Sequence, residues 1–247
     1  MISIDINCDM GEGMATDEAI MPYISSANIA TGYHAGDTDI MKKTIELCLK
    51  HNIAIGAHPS FFDRENFGRS EINLPNNEMY DLVTQQLFVI NEIADLFDTE
   101  IRHIKPHGAL YNMSAKNKAI AQTIAKAVKD FDERLILFGL SGSYSIKEAE
   151  AIGLRAANEV FADRTYQDDG SLTTRIKKGS LIEDPEEASR QALEMIKEKK
   201  VTTLTGKTIP ITSDTICIHG DGKNAVTLAK TIHDNFLKAG IKIASLQ

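Results

Sequence analysis

Cysteine, long apolar segments and positive charge are all scarce in this sequence of 247 residues. Its three cysteines, Cys8, Cys48 and Cys217, show no CxxC spacing, which argues against a disulfide framework or a zinc knuckle and favours a reducing compartment. No apolar run reaches the roughly 18 residues that a membrane-spanning helix needs. The start, MISIDINCDMGEG, carries acids where a secretory signal would be basic and then apolar. We therefore expect a cytoplasmic protein.

The charge balance also narrows the kind of partner. The formal net charge is −8, whereas nucleic acids and anionic membranes usually require a basic surface. A small-molecule or protein partner is therefore expected. A nucleotide-binding loop is missing as well: the TGKT stretch at 205–208 resembles the end of a Walker A motif, but Val201 stands where its first glycine belongs and Pro210 follows where a helix should run.

Alternating apolar segments indicate an α/β fold. With 43% hydrophobic residues, the chain suits one large domain spanning 1–247. Seven segments read as strands: 2–8, 26–31, 53–57, 102–106, 134–139, 155–160 and 214–218. Amphipathic helices are predicted between most of them, including 77–98, 115–130 and 184–200. Repeated strand, helix, strand order predicts a parallel sheet, and seven strands suffice to close a β/α barrel, which we prefer to an open sheet.

Four histidines follow strand-like runs directly, at well-separated places in the chain. They are His34, His58, His107 and His219. Because the carboxyl ends of parallel strands open on one face, we expect at least two of these imidazoles to share a site. A histidine taken alone would more often be structural.

The first strand ends in a cluster of polar residues. Alternation places Asp5, Asn7 and Asp9 on one face of the strand, with Glu12 just beyond. In a barrel that face is the interior, where an acid must be paired, hydrogen-bonded or bound to a metal. The alternative is a capped turn with solvated acids.

Further candidates follow the middle and late strands. Lys105 is a candidate anion-binding residue, because a lysine at a barrel mouth is costly without an anion; a solvated surface lysine is the alternative. Glu159 offers a proton-transfer acid, and Arg164 beside Asp163 offers a guanidinium for a carboxylate or phosphate, unless the latter two form only a surface ion pair. Arg69 and Asp221 complete the candidates for substrate contact.

A metal site is the main competing interpretation. Asp9, His34 and His58 form a reasonable ligand set for a divalent ion at the barrel mouth. Such a chain would act alone as an amide hydrolase or deacetylase. The HxxxH spacing usual in deacetylases is absent from these candidates.

Six ordered motifs resemble those of the LamB/YcsF family over nearly the full chain. They read DINCDMGEG, ATGYHAGD, GAHPS with NFGRS, KPHGALYN, EVFADR with DDGSL, and HGD. Thr31 stands where the family often has cysteine, which excludes a cysteine nucleophile at that position, and Ser70 replaces a second arginine.

The resemblance implies a seven-stranded barrel similar to the glycoside hydrolase/deacetylase superfamily. It also implies participation in the ATP-dependent opening of 5-oxoproline to L-glutamate, with ATP supplied as its Mg²⁺ complex and with two partner subunits. Lys105 and Arg164 would then bind the substrate carboxylate or a phosphate. Proton transfer would fall to a carboxylate and a histidine among Asp9, Glu12, His58, His107 and His219. A non-catalytic subunit that binds 5-oxoproline is a further alternative, and association of the chain with copies of itself stays open.

Overall fold

The computed structural model of the protein describes residues 2–220, 222 and 224–247. Its centre is a parallel sheet in which seven strands close on themselves. In chain order these are β1 (Ser3–Met10), β2 (Ser26–Ala30), β3 (Ala54–His58), β4 (His103–Ile104), β5 (Ile136–Leu140), β6 (Arg155–Phe161) and, after a hairpin, β9 (Thr215–Ile218). Each of the seven segments predicted to be strands contributes one strand, so the predicted barrel is confirmed.

The barrel closes through β9, which pairs with both β6 and β1. Thr215 is in register with Glu159 on one side and with Asp5 on the other. The short strand β10 (Lys242–Ile243) adds to the start of β1 outside the closed ring. Most strand residues are buried, as expected where helices cover the outer face of a parallel sheet.

Helices surround the barrel and connect its strands. They are α1 (Asp17–Ile20), the 3₁₀ helix Met21–Tyr23, α2 (Thr38–His51), α3 (Asn76–Asp95), α4 (Gly108–Lys116), α5 (Lys118–Phe131), α6 (Tyr144–Ala151), α7 (Pro185–Glu198) and α8 (Ala225–Lys238). The side chain of Asp37 accepts a hydrogen bond from the Ile40 amide and caps α2, and Asp184 caps α7 in the same way. Among the described residues, no helix is long and apolar enough to cross a membrane.

Two segments depart from the predicted elements. The helix predicted over 115–130 is divided, because Asn117 ends α4 and its side chain accepts hydrogen bonds from the Ala119 and Ile120 amides at the start of α5. The TGKT stretch lies in an antiparallel hairpin made by β7 (Lys200–Thr202) and β8 (Thr208–Pro210). This hairpin confirms that the stretch is not a phosphate-binding loop ahead of a helix.

Candidate active site

The carboxyl ends of the strands surround a cavity of about 420 Å³. Most of the predicted site residues line it: Asp9, Glu12, His58, Arg69, Lys105, His107, Arg164 and His219. The other candidates that the structure describes, Asn7, His34, Asp163 and Glu159, contact these lining residues from behind or below. Asp221 lies outside the described residues. The separate strand ends therefore deliver their polar side chains to one place.

Lys105 is the central charge of this site. It is only 2% exposed, and its Nζ lies 2.9 Å from Asp9 Oδ1, 2.8 Å from Glu159 Oε1 and 3.1 Å from Cys217 Sγ. Burial alone would lower the pKa of Lys105, but the charges of Asp9 and Glu159 hold it well above its ordinary value. The lysine is therefore a buried cation between two carboxylates, so its charge is largely balanced before any ligand binds.

Asp9 connects this ion pair to the histidines. Its Oδ1 also accepts a hydrogen bond from Asn28 Nδ2 at 2.8 Å, and its Oδ2 lies 3.3 Å from His58 Nε2. Burial would raise the pKa of Asp9, yet His58 and Lys105 keep it well below the ordinary value. Asp9 is therefore an ionised carboxylate at neutral pH.

A hydrogen-bonded network below the cavity orients these groups. Asn7 donates to Thr215 Oγ1 at 2.7 Å, Asn28 donates to Asn7 Oδ1 at 2.8 Å, and His103 Nε2 donates to Asn28 Oδ1 at 2.9 Å. At the bottom, Asp5 accepts from Thr215 at 2.5 Å. Asp5 and Asn7 thus lie inside the barrel with partners, as the alternation of β1 predicts. Asn28 and His103 are additions to the predicted set; a polar residue within an otherwise apolar strand was the available signal.

Three imidazoles and one carboxylate form a cluster on one side of the mouth. His58 Nε2 lies 2.9 Å from His107 Nδ1, and His34 Nε2 lies 3.1 Å from Glu12 Oε1. The His34 and His107 rings are stacked, with centroids 3.8 Å apart. Burial, followed by the charge of His58, lowers the pKa of His34 to about 3 and that of His107 well below its usual value. These two rings are therefore neutral at physiological pH.

His219 lies across the mouth and is paired with a carboxylate. Its Nδ1 is 2.8 Å from Asp163 Oδ2 and 2.9 Å from Oδ1. Burial would raise the pKa of Asp163, but His219 lowers it below the ordinary value, so the carboxylate is ionised and accepts the Nδ1 proton. The basic nitrogen of a neutral His219 is then Nε2, which is the arrangement of a general base held by an acid.

The remaining wall carries arginines and a buried tyrosine. Arg164 donates to the carbonyl oxygens of Thr173 at 2.5 Å and Ser180 at 3.4 Å, and so holds the irregular segment after β6 against the cavity. The guanidinium carbon of Arg69 lies 5.0 Å from the centre of the Phe67 ring. Tyr111, which is not among the predicted site residues, also lines the cavity, and burial with the charge of Glu159 raises its pKa well above normal.

Two groups of side chains could hold a metal ion. One comprises Glu12, His34, His58 and His107, and the other comprises Asp9, Cys217 and His219; within each, one ligand atom per residue lies within 4.8 Å of every other. His34 and His58 of the predicted metal set fall in the first group, whereas Asp9 falls in the second. Imidazole and carboxylate ligands suit a divalent transition metal.

Barrel and site together define the chain as a parallel β/α-barrel protein with a small-molecule cavity lined by histidines and carboxylates. The LamB/YcsF family model matches residues 4–247. The chain belongs to the LamB/YcsF family, which confirms the resemblance carried by the six motifs.

Proteins similar over their whole length share one name, that of the 5-oxoprolinase subunit designated A. The protein of this name from Staphylococcus epidermidis is 48% identical over 250 residues, covering 99% of each chain. The one from Tolumonas auensis is 47% identical and covers all of both chains. Among solved structures, the lactam utilization protein from Thermus thermophilus superposes with a TM-score of 0.93 at 37% identity, covering 99% of this chain and 100% of that one.

A more distant structure shows the fold alone. A family 4 carbohydrate esterase from Streptomyces lividans matches with a TM-score of 0.55 at 9% identity, covering 99% of this chain and 93% of that one. This likeness places the barrel among deacetylase-like folds, as the resemblance implied.

Proposed function

We propose that this chain is the barrel subunit of an ATP-dependent 5-oxoprolinase, which opens the lactam of 5-oxo-L-proline to L-glutamate while ATP is hydrolysed to ADP and phosphate. The names of relatives at 46–48% identity support the activity and the membership of a multi-subunit complex. Two partner subunits and ATP with Mg²⁺ complete the proposal. The three cysteines are free and buried, in keeping with the expected cytoplasmic location.

ATP has a chemical purpose in this reaction. An unstrained five-membered lactam is a poor electrophile, so transfer of a phosphoryl group to its carbonyl oxygen makes the carbonyl carbon open to attack by water. As the ring carbon to nitrogen bond breaks, the nitrogen must take up a proton. One group must therefore remove a proton from water, and another must supply one to the leaving nitrogen.

The pairing of His219 with Asp163 is the observation that carries the proposal. The carboxylate holds the Nδ1 proton at 2.8 Å, so Nε2 is the group we assign to accept a proton from water. The Lys105, Asp9 and Glu159 cluster provides fixed charge beside it, and Arg69 and Arg164 in the cavity wall suit a substrate that carries a carboxylate.

Reconstitution tests this function. Glutamate and phosphate release from 5-oxoproline and Mg-ATP is measured with the chain alone, with its partner subunits alone, and with the mixture. We expect coupled release only in the mixture. Binding of 5-oxoproline without any effect on turnover in the mixture would instead identify a non-catalytic binding subunit.

A stand-alone metal-dependent amide hydrolase is the second candidate, and the cluster of histidines with Glu12 is the observation that favours it. In that case the chain alone would hydrolyse an amide without ATP, and a chelator would stop it. The same reconstitution, with ATP omitted, separates the two functions.

A further inference from the structure

The hydrogen bonds of His58 and His107 fix where their protons lie. His58 Nδ1 is 2.7 Å from the carbonyl oxygen of Lys105, and His107 Nε2 is 2.9 Å from that of Phe67. A carbonyl oxygen can only accept, so each of these nitrogens is the donor. The other nitrogen of each neutral ring therefore presents a lone pair. These two nitrogens, His58 Nε2 and His107 Nδ1, face each other at 2.9 Å.

Two facing lone pairs repel unless a cation lies between or beside them. Glu12 supplies a third donor atom, because its Oε1 is 3.4 Å from His107 Nδ1 and 3.9 Å from His58 Nε2. The two rings are nearly perpendicular, at 86°, so their in-plane lone pairs can converge on one point. Ligand atoms around a tetrahedral zinc ion lie about 3.3 Å apart, given bonds of about 2.0–2.1 Å. The three observed separations bracket that value.

His34 is excluded as a fourth ligand in this arrangement. Its ring is parallel to that of His107 within 7° at a centroid distance of 3.8 Å, so the in-plane lone pairs of the two rings run side by side and do not converge. Instead, His34 Nε2 contacts Glu12 Oε1 at 3.1 Å. That contact suits a residue that orients a ligand carboxylate.

Asp9 is a poorer ligand than Glu12 for a physical reason. Its Oδ1 is 2.9 Å from the Lys105 ammonium group, and a divalent ion bound by the same carboxylate would lie close to that positive charge. Glu12 faces imidazole nitrogens, which can share a metal ion with it.

We propose that Glu12, His58 and His107 bind one divalent metal ion at the barrel mouth, with His34 as the residue that positions Glu12. Two imidazoles and one carboxylate are the ligands of an open site, which leaves a position facing the cavity. The inference deepens the proposed function and rests on it only for the substrate that such an ion would face. A bound ion would supply Lewis-acid chemistry there.

Metal binding by the isolated full chain tests the inference. The chain is stripped with a chelator and titrated with Co²⁺ and then Zn²⁺, while bound metal is counted by elemental analysis and Co²⁺ absorption is recorded. We expect one ion per chain with a tetrahedral Co²⁺ spectrum. Glu12→Gln and His107→Ala should each weaken binding by about 100-fold or more, and His34→Ala by about 10- to 100-fold.

His233→Ala is the matched control, because His233 lies on α8 against the Tyr23 ring, away from the cluster. It should leave binding unchanged. Glu12→Gln keeps the side-chain shape, so it tests the site even if the alanine variant fails to fold. Failure of the unchanged chain to bind Co²⁺ or Zn²⁺ would overturn the inference, and a proton shared between His58 and His107 would then hold the two rings together. Binding that survives both ligand substitutions would overturn it as well.

The same preparations separate this inference from the proposed function. Full glutamate release in the reconstituted mixture by a metal-free chain would overturn the metal site and leave the function in place. A chain that binds one ion as described but gives no glutamate with competent partners would do the reverse.

Discussion

Lys105 compensates two buried carboxylates, and its loss should be felt in stability as well as in turnover. Removing one partner of a buried ion pair costs about 3–5 kcal/mol because the remaining charge is left without compensation. We expect Lys105→Met to lower the free energy of unfolding by about this amount, measured by urea denaturation. It should also abolish glutamate release.

Two controls isolate the buried charge. Lys50→Met removes a lysine that lies 3.3 Å from Glu18 but has a side chain 64% exposed, so it should cost only about 0–1 kcal/mol. The double variant Lys105→Met/Glu159→Gln should recover part of the lost stability, though not activity, because one uncompensated carboxylate is gone. Equal stability of the two single variants would contradict this account of Lys105.

Asp163 should make stability depend on pH in a defined direction. Its pKa is lowered in the folded protein, so the carboxylate contributes stability above its unfolded pKa of about 3.9, and that contribution is lost as the pH falls through the folded value. The difference in unfolding free energy between the unchanged chain and Asp163→Asn should therefore be full between about pH 5 and 7 and shrink below about pH 4. Urea unfolding across this range measures it. A difference that grows on acidification would show that the pairing with His219 does not stabilise the carboxylate.

The types of residue at the site could be predicted from the sequence, but most of their partners could not. Histidine, lysine and acids at strand ends indicate chemistry whatever their geometry. The contact of Asp9 with Lys105 joins positions in different strands, and only the closed barrel brings them to 2.9 Å. Tyr111 was missed because a tyrosine on a helix reads as an apolar packing residue, although its burial next to Glu159 makes it part of the site.

At the scale of elements, the loop after β3 is fitted closely to the histidine cluster. Gly68 has a φ of +65°, and a β-carbon there would lie 2.2 Å from Ser60 Oγ and 2.9 Å from both His107 Cδ2 and His34 Cβ. Gly68→Ala should therefore displace the imidazoles, lower the free energy of unfolding and abolish turnover.

Gly142→Ala is the matched control, because Gly142 has a φ of +69° with nothing within 4 Å of the added atom. It carries only the backbone cost of about 1–2 kcal/mol. Thermal unfolding and glutamate release of the two variants make the comparison. If Gly68→Ala costs no more stability than Gly142→Ala and keeps turnover, the loop does not position the cluster.

Strands were more predictable than the boundaries of the segments around them. A strand buried on both faces reads as a short apolar run, and this signal located all seven barrel strands. The helix over 115–130 is predicted as continuous because its apolar stripe runs through the break, whereas a single cap at Asn117 divides it. The hairpin of β7 and β8 was missed because its strands of three residues are too short to show alternation.

At the scale of the whole molecule, the barrel explains why the site is distributed along the chain. Every strand ends at the same rim, so residues as distant as Asp9 and His219 line one cavity. The interior below this rim is polar and hydrogen-bonded through Asn7, Asn28 and Thr215. This packing holds charged groups in place before substrate arrives, which is what catalysis by fixed charges requires.

The central claim is that this mouth carries out the opening of the lactam within the assembled enzyme. His219→Asn tests it most directly, with glutamate release measured in the complete mixture of partner subunits, 5-oxoproline and Mg-ATP. The account predicts that the variant chain keeps its fold and its association with the partners, yet loses glutamate release by roughly 10²- to 10⁴-fold, the contribution of a general base. Glutamate release at the rate of the unchanged chain would contradict the account, because the chemistry would then lie elsewhere.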